Sequence, residues 1–191
     1  MSEFEFIFAL FGLLLGLSLT EVLGGLARAI QGRLLPGSTL RIGRLTPMLG
    51  TFVLLDLLSF WQAAWITRTV VAVSGPALLA VTLFASAYFL AASLVFPRDT
   101  ADPTTGAVDY DAHFFRVRRL VIAVMLALLV CQLAFYASVP ALTARLASPL
   151  RLGLTVVLAV LMLAAMVARG RRWCELTMGA LIGRYLIVYL L

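Results

Sequence analysis

Residues 4–30 read FEFIFALFGLLLGLSLTEVLGGLARAI. A run of about 20 apolar residues suffices to cross a bilayer, and this one is long enough to do so with some tilt. Gly12, Gly16, Thr20 and Gly24 recur every fourth residue and make a ridge of small side chains on one helical face. Gly12 to Gly16 is a GxxxG, a pattern that lets helix backbones approach closely in lipid. A second line runs beside it at near-heptad spacing: Ser18, Glu21, Gly25 and Arg28. A carboxylate inside a span is costly, so Glu21 is expected to face protein or water and to have a partner.

Composition agrees with a membrane protein. Of 191 residues, 63% are hydrophobic and 13% charged, with a mean hydropathy of +1.06. Soluble domains carry about 45–50% apolar residues, so there is too little polar surface here to cover a soluble fold. All fifteen basic residues are arginine, and the net charge is +6. Because the arginines cluster in gaps between apolar runs, they read as topology signals rather than as a nucleic-acid surface. The acidic start, MSEFEF, and the long first apolar run are unlike a secretory signal, so the first span is expected to be retained.

The remaining apolar runs give expected spans at 47–69, 76–96, 120–139, 149–168 and 173–191. Pro47 and Pro76 suit first turns, Pro97 and Pro140 suit stops, and Trp61, Trp65 and Arg68 suit an interfacial anchor. Gap one holds Arg28, Arg33, Arg41 and Arg44. Gap three holds Arg98, Arg116, Arg118 and Arg119, and gap five holds Arg169, Arg171 and Arg172. Gap two has only Arg68, and gap four only Arg145 and Arg151. Eleven against three puts the odd gaps in the cytoplasm and both termini outside. The expected architecture is an all-α bundle of six transmembrane helices, with residues 1–191 forming one domain.

Depth singles out the candidate polar residues. Counted from the cytoplasmic helix ends at about 1.5 Å per residue, Glu21, Asp56, Tyr88 and Arg184 fall in one layer roughly 12–17 Å deep. Ser18 and Ser59 lie close to it. Two readings remain open. The layer is an ion or proton path, or it is a structural cluster in which Arg184 neutralises one acid. The sixth span carries a second GxxxG, Gly179 to Gly183. At matched depth it can meet Gly24 and Thr20, so the first and sixth spans are expected to pack directly and bring Arg184 to Glu21.

Other chemistries find little support. Asp99, Asp102, Asp109, Asp111 and His113 lie in the third gap without EF-hand or HExxH spacing, and read as a solvated loop. The stretch from His113 to Arg119 reads as a lead-in helix at the headgroups. There is no GxSxG, P-loop or dinucleotide fingerprint, and with one histidine, in a loop, no His-rich haem or metal site can be built inside the bundle. Cys131 and Cys174 read as packing residues, and Gln132 and Tyr136 as a pair one turn apart. No catalytic residue, metal or cofactor is therefore expected.

The stretches Gly16–Glu21, Phe60–Trp65 and Asp109–Arg119 resemble a family of small polytopic bacterial inner-membrane proteins of uncharacterised activity. That family has a Gly-Leu-Gly-Leu-Thr first span, a Trp-rich second span and an acidic-aromatic-Arg-Arg approach to the fourth. The resemblance implies a bacterial inner membrane and six spans, and carries no catalytic residue with it. The functional expectation is a structural or accessory membrane protein, a homo-oligomer or a subunit of a larger complex, with lipid as its surroundings. The alternative is an ion or proton channel, or a small transporter, using Glu21, Asp56 and Arg184.

Overall fold

The computed structural model describes residues 3–34, 43–72, 74–97, 109–146 and 148–190. Its helices are α1 (Glu3–Leu34), α2 (Leu45–Ile66), α3 (Gly75–Val95), α4 (Tyr110–Ser138), α5 (Pro140–Leu146), α6 (Pro149–Val167) and α7 (Arg171–Leu190). A single 3-10 turn, Thr67–Thr69, extends α2, and no strand occurs among the described residues. Six helices, all but α5, are long and apolar enough to span a membrane. Only 17–39% of their most apolar windows is buried inside the bundle. Leu83, Val130, Val160 and Ile187 instead point outward. Apolar surface turned out on every side is what lipid solvates and water does not, so this is a multi-pass membrane protein with an all-α fold.

Local chemistry sets the helix ends. Ser74 caps α3 by accepting from the Ala77 amide, and Pro76 sits in its first turn. Asp109 caps α4 by accepting from the amides of Asp111 and Ala112. This cap starts α4 about ten residues before the expected Leu120, making the lead-in helix and the fourth span one continuous rod. Pro140 ends α4 and opens the short α5, a helix the hydropathy pattern does not announce. Gly170, at φ +88°, makes the left-handed turn from α6 into α7.

Around the bundle the order is α1, α3, α4, α6, α7, α2, and α2 also reaches inward to α3 and α4. Accordingly α2 is the most enclosed span. This order corrects the expected pairing of the two glycine ridges. α7 packs on α2 and α6, α1 packs on α3 and α2, and α2 stands between them. The close approaches lie elsewhere. Phe96 wedges between Gly25 of α1 and Gly50 of α2, where β-carbons would fall 2.5 and 3.2 Å from its ring. Of the expected ridge, a β-carbon on Gly12 would lie 3.2 Å from the Trp61 ring, whereas Gly16 has open space and Thr20 is exposed. Gly24 meets only Arg28 of its own helix. Gly183 has open space, and Gly179 touches only the tip of Met48.

Candidate functional site

The helical repeat places Phe52, Asp56 and Phe60 on one face of α2, four residues apart, and all three are buried. The two carboxylate oxygens of Asp56 are divided between two helices. The Tyr88 hydroxyl, from α3, donates to Oδ2, and the Tyr185 hydroxyl, from α7, donates to Oδ1. The phenylalanines on either side of Asp56 hold those same tyrosines. Phe60 meets Tyr88 edge-on at 5.1 Å between centroids, and Phe52 meets Tyr185 at 6.1 Å. Tyr88 and Tyr185 are 0% and 1% exposed, so water does not reach the cluster from their sides. The result is a closed polar knot, one acceptor group and two donors, tying α2, α3 and α7 together in the middle of the bundle.

Among the charged residues of the expected layer, Arg184 is the one that faces this knot, at longer range. Its guanidinium lies 4.8 Å from the centroid of the Tyr185 ring, and its Nε and Nη2 donate to the Leu154 carbonyl at 3.3 and 3.2 Å. Arg184 thus serves α6, not the expected Glu21. The reason is the helix order, which sets α7 beside α6 and puts α2 between α7 and α1. Glu21 is half-buried on α1. Ser18 is fully buried and donates to Leu14 of its own helix at 3.0 Å, and Ser59 is half-buried on α2. The layer of equal depth therefore resolves into a tight Asp56–Tyr88–Tyr185 centre with Arg184 beside it. Tyr185 escaped sequence reading because a tyrosine next to an arginine at the same depth carries no pattern of its own.

A cavity of about 730 Å³ opens beside this centre, between α1, α2, α3 and α4. Phe60 and Phe84, 5.0 Å apart, form part of its wall, and Phe60 also packs on Tyr88. The cavity thus stops at an aromatic floor one helical turn from Asp56. Gln132 and Tyr136, the expected pair, line its upper part and bond to each other at 3.2 Å.

At the opposite end, Arg118 is only 4% exposed. Its Nη2 donates to the Ala168 carbonyl at the C-terminus of α6 (2.6 Å), Nη1 meets the Cys174 sulfur, and the guanidinium lies 5.0 Å from the Phe115 ring. Arg119 donates to Met166 nearby at 3.3 Å. Two arginines expected only as topology signals thus cap the last turn of α6, where free carbonyls and the negative dipole end need cations. In the acidic gap, Asp99 and Asp102 lie outside the described residues. Asp111 pairs with Arg171 at 3.3 Å and accepts from the Leu45 amide at the start of α2 (3.4 Å). His113 Nε2 is 3.0 Å from the Leu94 carbonyl. Each group makes a bond between helices, and no cluster able to hold a metal occurs among the described residues.

Comparison with protein-family models, with curated proteins and with solved structures finds no match.

Proposed function

We propose that this chain is a structural or accessory protein of a bacterial inner membrane, not an enzyme, with both termini outside. The observation that carries this reading is the state of Asp56. Its oxygens are taken up by Tyr88 and Tyr185, and aromatic rings close the knot. A carboxylate on a conduction path needs water or exchanging ligands on both sides, whereas one with fixed partners acts as a cross-link. The bacterial setting rests on the resemblance in the first, second and fourth spans, and the orientation on the distribution of arginines. Assembly with a second copy or with a larger complex is supported by Gly16 and Gly183, which leave open space beside the backbone on the outer faces of α1 and α7.

Two measurements test the proposal. Purification from native membrane in mild detergent, followed by mass determination, is expected to give a species larger than one chain. Reconstituted protein is expected to pass no protons or cations under an imposed gradient. Flux that disappears in Asp56→Asn, with folding retained, would instead establish the channel or transporter reading.

A further inference from the structure

We propose that the cavity between α1, α2, α3 and α4 binds one acyl chain of an anionic phospholipid, with the lipid phosphate against Arg68. The walls are almost entirely carbon, with Phe8 from α1, Phe84 from α3 and Ala127 from α4 among them. A volume of about 730 Å³ falls inside the usual range for small-ligand sites, roughly 300–1,000 Å³. Water gains nothing there, because a buried water needs several polar partners. Hydrocarbon, which surrounds the bundle, does gain contact with the walls.

The depth of the cavity fits one leaflet. Its α4 wall runs from Val124 to Tyr136, about 18 Å at the helical rise. Half of a hydrocarbon core is about 15 Å. Thr67 and Val71, which flank Arg68 in the sequence just beyond α2, are part of its lining. The Arg68 guanidinium lies 4.6 Å from the centroid of the Trp65 ring, and Trp65 packs edge-on against Phe8 of the cavity wall at 6.2 Å. Tryptophan and arginine mark the headgroup level. The order from rim to floor is therefore cation, indole, hydrocarbon, which is the order a phospholipid presents in reverse sign and matching polarity. Arg68 is exposed and gives one nitrogen to the Trp65 carbonyl at 3.5 Å. A guanidinium has five N–H donors, so it keeps enough to hold a phosphate.

The test uses the full chain in phosphatidylcholine nanodiscs containing a little phosphatidylglycerol with a photoreactive diazirine on its acyl chain. After irradiation, adducts are expected on peptides holding Phe84 and Ala127, about tenfold above the lipid-facing α7 peptide that holds Ile187. Ala127→Phe, which puts a ring into the acyl path, should lower that excess. Ala80→Phe, at an exposed position on the rim, serves if Ala127→Phe fails to fold. Arg68→Gln should abolish the preference for phosphatidylglycerol over a phosphatidylcholine analogue with the same photoreactive chain. Adducts spread evenly over all outward faces would overturn the proposal. So would equal labelling by both analogues in the parent protein, or loss of the adduct when an equimolar isoprenoid quinone is present before irradiation.

Discussion

The ring of Phe96 occupies the space that a β-carbon on Gly25 would need, within 2.5 Å of the ring carbons. Phe96 is the last residue before Pro97, so its backbone has little freedom to retreat. Gly25→Ala is therefore expected to destabilise the bundle by about 1–3 kcal/mol, the usual cost of overpacking. Gly16→Ala, with nothing within 4 Å, is expected to leave the isolated chain unchanged. Thermal unfolding in detergent, followed by loss of monodispersity, separates the two. Equal melting of both variants would show that Phe96 does not lock α1 to α2.

Asp56 and its tyrosines should behave as a unit. Tyr88→Phe or Tyr185→Phe each removes one donor from the carboxylate, at about 1–3 kcal/mol for a buried group left unsatisfied. Asp56→Ala strands both hydroxyls and should cost more than either. The double variant Asp56→Ala with Tyr185→Phe is expected to cost less than the sum of the two single changes, because the second removes a group already unpaired. Strict additivity in melting experiments would mean that the bond between α2 and α7 contributes nothing to stability.

Much of the fold was legible because lipid imposes simple rules. A span must be long, apolar and helical, so hydropathy found all six, and prolines marked five of their twelve ends. What lipid does not encode is which helix stands beside which. Gly12–Gly16 and Gly179–Gly183 match in depth, but depth says nothing of angular position around the bundle. The insertion of α2 between α1 and α7 therefore could not be read. The same gap explains the site. Equal depth correctly grouped Asp56 with Tyr88, and wrongly gave Arg184 to Glu21 instead of to Leu154. The glycines that matter, Gly25 and Gly50, face an aromatic ring rather than another glycine, and no spacing rule announces that.

The arginine distribution makes a prediction about orientation. Single cysteines placed at Ser2 and at Thr105, both outside the described residues, are to be probed in intact cells. A thiol reagent that cannot cross the membrane is expected to modify the first and spare the second. The reverse pattern would turn the bundle over while leaving its packing intact. Equal labelling would remove the basis for treating the odd gaps as cytoplasmic.

The last prediction concerns Arg118 and Cys174. Arg118 lies over the α6–α7 turn with Nη1 on the Cys174 sulfur and Nη2 on the Ala168 carbonyl. Cys174 is 1% exposed, whereas Cys131 is exposed on α4. A membrane-permeant maleimide should therefore modify Cys131, which faces lipid, slowly, and leave Cys174 intact. Arg118→Ala removes both the cap and the cover. Loss of a partner for a helix-terminal carbonyl costs about 1–3 kcal/mol, with a further loss of favourable charge at the negative end of α6. The turn should open locally before the bundle unfolds, so Cys174 should become reactive at temperatures where Cys131 labelling is unchanged. Arg118→Lys tests whether charge alone suffices. A lysine supplies the cation but not the planar fork that reaches sulfur and carbonyl together, so partial protection is expected. If Cys174 stays unreactive in Arg118→Ala up to the global melting temperature, the turn is held by Gly170 and apolar packing, and the buried guanidinium is not its fastener.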